Sequence, residues 1–226
     1  TISLGADENI ALGGLLTTDN SGSAVSITSG NGSVTDAGDA NVDITASTAG
    51  AVVTIVALDT IGAVSGDDVY LDPGDTGYAG NPLETAILSL SATTSASTGS
   101  EIAIDNTSAS GLTVSALQPG GAANAGSAWV RNSASLDVSG ITITNANNAG
   151  DKLAFIASTS NLTVQDIGTN PLNVGAGVIK LEAASGDVTE TGGNDNLSVT
   201  AQDFILKSNT SETVSLAVTN FDAQIT

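Results

Sequence analysis

The sequence contains no cysteine, no methionine and no histidine. Without cysteine there is no disulfide, no thiol nucleophile and no thiolate metal site; without histidine there is no imidazole acid–base pair and no histidine-ligated zinc. Positive charge is nearly missing too. Arg131, Lys152, Lys180 and Lys207 are the 4 basic residues against 24 acidic ones, for a formal net charge of -20. Such a field repels phosphate backbones and anionic lipid, so nucleic acid is not an expected partner, whereas cations and polar saccharides remain admissible. Dispersed Asp also keeps a sheet-rich surface soluble and discourages edge-to-edge association, a reading that competes with dedicated metal binding. Aromatic residues make up only 3% of the chain. The core must therefore be assembled from Ala, Val, Ile and Leu. The strongest apolar run, Ala51 to Leu58, has the length of a buried strand and not of a membrane span, so no membrane insertion is expected. The opening Thr1-Ile-Ser-Leu-Gly-Ala-Asp7 lacks a basic region followed by an apolar signal segment, which leads us to expect a processed chain or a piece of a longer one.

What is present is a long series of short β-favouring runs, such as Val25-Ser-Ile27, Val42-Asp-Ile44, Ile102-Ala-Ile104, Leu136-Asp-Val138, Leu162-Thr-Val164 and Ile179-Lys-Leu181. Most alternate apolar, polar, apolar, so two side chains point inward and one outward. Gly, Asn, Asp and Ser fill the gaps, as turns require. No segment reads as a long amphipathic helix. Distant stretches also match: Val25-Ser-Ile-Thr-Ser-Gly-Asn-Gly-Ser-Val-Thr-Asp36 aligns without a gap with Ile179-Lys-Leu-Glu-Ala-Ala-Ser-Gly-Asp-Val-Thr-Glu190. Asn41 to Ala46 resembles Asn196 to Ala201, and Asn81-Pro-Leu83 resembles Asn170-Pro-Leu172. A unit of this kind cannot bury its own apolar face, but stacked copies can.

These features predict one elongated parallel β-solenoid over residues 1–226. At roughly 20 to 25 residues per coil it would have about nine to eleven coils, a rod on the order of 50 Å long. A β-sandwich is the alternative; close, similar strand spacing favours the solenoid. Two stretches break the pattern and are expected to be loop excursions, near 65–81 and near 118–127. The first contains both tyrosines, and Val69 to Leu71 within it has the composition of a short pinning strand.

The segment Asp166-Ile-Gly-Thr-Asn-Pro-Leu-Asn-Val-Gly-Ala-Gly-Val-Ile-Lys-Leu-Glu-Ala-Ala-Ser-Gly-Asp-Val-Thr-Glu190 resembles repeats of the filamentous haemagglutinin-like large exoproteins of bacteria. Residues 61 to 92 resemble the same pattern interrupted by the first excursion, and residues 25 to 46 resemble its second half, while residues 93 to 160 depart from it. The resemblance implies a right-handed β-helical stalk of an exported surface adhesin.

Chemistry-bearing residues are few. Asp67, Asp68, Asp72 and Asp75, with Gly74 and Gly77 to turn the chain, offer oxygen ligands to calcium, although the spacing is not that of an EF-hand and Asp72-Pro-Gly-Asp75 is equally a turn. Acidic pairs such as Asp36/Asp39 and Asp7/Glu8 can hydrolyse a glycoside only when they flank the bond, and the scarcity of bases argues against a lyase. Trp129 beside Arg131, and Tyr70 and Tyr78 in the excursion, are the candidates for docking a glycan or a protein partner. A lone Trp in an aliphatic rod equally fills a core vacancy. The expected function is that of a noncatalytic stalk or fibre segment of a secreted or cell-surface adhesin, in contact with neighbouring repeats, copies of itself or cell-surface glycans. The alternatives are a self-assembling subunit of a filament, sheath or surface layer and, more remotely, a carbohydrate-active enzyme.

Overall fold

The computed structural model describes residues 1–64, 80–96, 99–121, 126–141, 143–144, 151–164, 172–174, 177–191, 196–209 and 213–225. The chain winds as a parallel β-solenoid. One sheet stacks eight strands, β1 (Ile2–Ala6), β4 (Val25–Ser29), β7 (Val53–Ala57), β12 (Ser89–Thr94), β14 (Leu112–Gln118), β16 (Leu136–Asp137), β19 (Leu162–Val164) and β22 (Val188–Glu190). The other, fourteen-stranded, has two rows. A short row holds β2 (Ile10–Leu12), β5 (Val34–Asp36) and β8 (Thr60–Ile61). The long row holds β3 (Leu15–Leu16), β6 (Ile44–Ala46), β11 (Leu83–Ile87), β13 (Ser100–Asn106), β15 (Gly126–Asn132), β18 (Lys152–Ala157), β21 (Val178–Ala183), β23 (Asn196–Ser208) and β24 (Thr213–Ile225). The strands β17 (Ile143–Thr144) and β20 (Leu172–Asn173) join this sheet beside β23.

All these pairings are parallel, which replaces the sandwich alternative. The exception is the hairpin β9 (Ala63–Val64) with β10 (Gly80–Asn81), paired antiparallel at the base of the first excursion. Among the described residues the eight-stranded sheet shows eight rungs, which differs from the expected nine to eleven coils: it advances 23 residues from Ile2 to Val25 and 26 from Leu162 to Val188, but 37 from Val53 to Leu90, a span that contains the first expected excursion. Near the second expected excursion, Gln118 closes β14 and Gly126 opens β15, and residues 122–125 lie outside the described residues.

Alternation sets the core. Val25 and Ile27 of β4, and Val53, Ile55 and Ala57 of β7, are buried. Register then stacks like on like: Leu83, Ile104, Val130, Phe155, Leu181 and Leu206 form one in-register column along the long row, all buried. Each such side chain contributes about 1.5–3 kcal/mol of hydrophobic stabilisation. Buried polar groups at the ends of β13 and β15 are matched. The Asn106 amide donates to Asn132 Oδ1 (2.8 Å) and to the Ile87 carbonyl (3.1 Å), while its own Oδ1 accepts from the Ile87 N–H (2.9 Å).

The internal match proves to be a corner motif. A Cβ on Gly32 would meet the Asn9 nitrogen at 2.8 Å, and one on Gly186 the Ser160 carbonyl carbon at 2.5 Å, so each turn lies directly against the preceding coil. In both, an Asn of that coil accepts from the N–H after the glycine: Ser33 to Asn9 Oδ1 at 2.8 Å, Asp187 to Asn161 Oδ1 at 3.0 Å. Yet β4 to β5 leads from the eight-stranded sheet to the other, and β21 to β22 leads back. The same local unit turns two different corners.

The outer face of the long row is not uniformly polar. Trp129, Ala154, Ile156, Val178 and Ile205 form a second apolar cluster, and all five are buried. Strand β21 is buried along its whole length.

Candidate functional site

Several charged residues of the long row sit in register with one another. Asp43 immediately precedes β6, and its N–H donates to the Glu84 carbonyl at 2.8 Å. Glu84 of β11 pairs with Asp105 of β13, Asp105 with Arg131 of β15, and further along Glu182 of β21 pairs with Lys207 of β23. Arg131 grips Asp105 with two bonds, Nε to Oδ1 at 2.8 Å and an Nη nitrogen to Oδ2 at 2.7 Å. Lys207 and Lys180 reach the two oxygens of buried Glu182 at 3.1 and 3.4 Å. Such charge-assisted pairs offset the desolvation of their carboxylates.

At the other end of the row that compensation stops. Asp36, at the end of β5, faces Asp43 and Glu84, with one carboxylate oxygen of each within 4.8 Å of the others. Asp36 is 6% exposed and Asp43 is fully buried. Among the described residues no donor reaches either oxygen of Asp36, Oδ1 of Asp43 or Oε2 of Glu84. Within the group the Glu84 N–H donates to Asp43 Oδ2 at 3.1 Å, and the Asp43 and Glu84 carboxyls lie within hydrogen-bond reach of each other. Three of the chain's 4 basic residues are placed on Asp105 and Glu182, and Lys152 lies in β18, three strands away from β11 along the sheet. Burial pushes the Asp43 carboxyl up to about 7, with the charges of Asp36 and Glu84 adding to it. Glu84 is raised by burial first and by Asp36 next. The arrangement can hold a divalent cation or retain a proton; three bare carboxylates at this spacing repel one another strongly.

The cluster sits at the corner from which the first excursion departs. Ile61, in register with Val34 of β5, precedes the hairpin Ala63–Val64 with Gly80–Asn81, and Glu84 follows that hairpin. Asp67, Asp68, Asp72, Asp75, Tyr70, Tyr78 and the expected strand Val69 to Leu71 lie outside the described residues. Trp129 is fully buried, so the ring is not offered to a sugar at the surface; it packs in the second apolar cluster, with the Arg131 guanidinium carbon 5.9 Å from its centroid. Arg131 is likewise occupied by Asp105. Sequence proximity had joined Asp36 to Asp39, but Asp39 is exposed and accepts from the N–H of Asn41 at 2.7 Å.

Asp151 is a second buried carboxylate, 6% exposed, and no donor among the described residues reaches its Oδ2. Burial pushes its pKa from 3.8 up to about 6. Below the lower value the group is protonated in both states and has no effect. As pH rises through the interval the unfolded chain ionises first, so stability falls and the penalty persists above it, at about 3 kcal/mol. Asp151→Asn is therefore expected to be more stable than the parent at pH 8 and equal to it near pH 3. Urea midpoints at both values read this directly, and a variant equally displaced at each pH contradicts it.

Comparison with protein-family models, with curated protein sequences and with solved structures gives no match.

Proposed function

We propose that this chain is a noncatalytic structural segment of a secreted or cell-surface protein, a spacer of the filamentous haemagglutinin-like kind that holds a contact region away from the envelope. The observation that supports this reading is the uninterrupted parallel ladder. Among the described residues each strand of the eight-stranded sheet pairs with the coils before and after it, so added coils lengthen the rod without altering its cross-section. With rungs about 4.8 Å apart, length is the property that such a stack encodes. The large negative charge keeps neighbouring rods apart and disfavours nucleic acid. Among the described residues no helix is long and apolar enough to cross a membrane. Large exposed hydrophobics in the described part are Leu16, Val42 and Val56, scattered as on an ordinary surface.

The second reading, a self-assembling filament subunit, draws on the first coil. There β1 is the outermost strand of its sheet, and Ile2, Leu4, Ile10 and Leu15 are only partly buried. That rung presents a strand edge and apolar side chains to which a further coil or another copy can add.

Fusing a defined glycan-binding module to one, two or three tandem copies of the chain on a cell surface tests the spacer reading. Adhesion under flow should depend on copy number, and the chain alone should support none. Saturable glycan binding by the isolated chain would replace the spacer with a binding module. Polysaccharide cleavage abolished by a carboxylate substitution would replace it with an enzyme, and concentration-dependent filaments of the isolated chain would favour the subunit.

A further inference from the structure

We propose that Asp36, Asp43 and Glu84 form a calcium site that ties the second coil to the third at the root of the first excursion. The trio joins two coils, Asp36 and Asp43 from the coil of β4, β5 and β6, and Glu84 from the next. Calcium takes oxygen ligands at about 2.3–2.6 Å, so two ligands on opposite sides of one ion lie about 4.6–5.2 Å apart. A mutual separation within 4.8 Å lets all three carboxylates touch the same ion. Magnesium demands near-ideal octahedral geometry and dehydrates reluctantly, so a site built from three protein carboxylates favours the larger, more adaptable calcium ion. The absence of His and Cys from the whole chain leaves hard oxygen donors, which select against zinc and copper.

The second argument is the orphaned state of the ligands. Asp36 is more than nine-tenths buried, is directed into the cluster, and has neither oxygen engaged by a donor among the described residues. Asp43 Oδ1 and Glu84 Oε2 are in the same position, so each of the three residues brings at least one buried, unengaged oxygen to the cluster. A carboxylate that is both buried and unpaired cannot act as a solubilising surface charge, and without a counter-charge it opposes folding. Arg131, Lys180 and Lys207 answer Asp105 and Glu182 of this row, so at this corner the missing positive charge comes from solution. Bound calcium would cross-link adjacent rungs and fix the base of β9 and β10, where the excursion leaves and returns.

Calorimetric titration of the chelator-stripped chain with calcium and with magnesium, at constant ionic strength and pH 7.5, tests this together with melting curves in each ion. One saturable calcium site is expected, with a melting temperature that climbs with calcium concentration and responds far less to magnesium. Asp36→Asn and Asp43→Asn should each weaken calcium at least tenfold; the double variant Asp72→Asn/Asp75→Asn should leave affinity unchanged. Asn preserves volume and removes repulsion, so these variants should fold in chelator at least as well as the parent, as circular dichroism will show. If either does not, Glu84→Gln, at a half-exposed strand position, supplies the same comparison. Equal shifts with calcium and magnesium would reduce the effect to screening. Calcium binding that survives Asp36→Asn, or that disappears with Asp72 and Asp75, would overturn the site. None of these results bears on the spacer reading, which needs no ion.

Discussion

Leu181→Asp should unfold the C-terminal half of the solenoid, lowering stability by about 5 kcal/mol or more. Leu181 is fully buried, between Phe155 of the preceding strand and Leu206 of the next. Truncating a buried Leu costs about 2–5 kcal/mol, and an unpaired carboxylate in its place adds a desolvation penalty of several more. A domain has only about 5–15 kcal/mol to lose. In a linear stack each coil is supported only by its neighbours, so the damage should spread from β21 into β18 and β23 before it reaches β4. Hydrogen exchange should show lost protection over 152–208 at denaturant concentrations where 25–57 remains protected. Thr54→Asp, on the outward side of β7, is the control and should fall within about 1 kcal/mol of the parent. An unchanged urea midpoint for Leu181→Asp would contradict the inward register of the whole column.

Leu181 also shows what the sequence discloses. Ile179 and Leu181 alternate with charged residues, and that period of two was enough to place both inside. The alternation hid the opposite fact about Lys180 and Glu182, which are fully buried on the other face and paired with each other. Burial on both faces writes a continuous apolar run, and Leu153-Ala-Phe-Ile-Ala157 of β18 is such a run. Read that way, it would have pointed to the covered outer face and to the burial of Trp129. The repeat between Val25–Asp36 and Ile179–Glu190 was legible because a corner packed against the previous coil admits few residues. Its place in the coil was not, since two corners of similar shape accept the same motif. The acidic trio was beyond local reading altogether. Asp43 and Glu84 are 41 residues apart, brought together by a coil that contains the excursion, whereas a sequence search joins Asp36 to its near neighbour Asp39.

Removing one whole coil should leave a shorter but folded rod, whereas removing half a coil should abolish folding. Deletion of residues 136–161 joins Ser135 to Leu162, and the register already equates these ends: Leu136 pairs with Leu162, and the carbonyls of Ser135 and Asn161 accept equivalent bonds from Leu112 and Leu136. Strand β15 would then stack on β21 in the alignment that β18 now mediates, Val130 over Leu181 and Trp129 over Lys180. Arg131 would meet Glu182 in place of Ile156, opposite charges in contact, and the buried Asp151 would be gone. Nothing in the new interface is an unmatched pair of like charges. The variant should unfold cooperatively with a smaller denaturant dependence, in proportion to the surface that one coil contributes. Deletion of residues 136–148 instead would bring a segment of the long row onto the eight-stranded sheet, where its inward residues have no matching column. The cost would exceed the stability of the chain, and its far-UV spectrum should lose the β signature. If the whole-coil variant is as unfolded as the half-coil one, the coils are not interchangeable units and the proposal that this chain works through length falls with them.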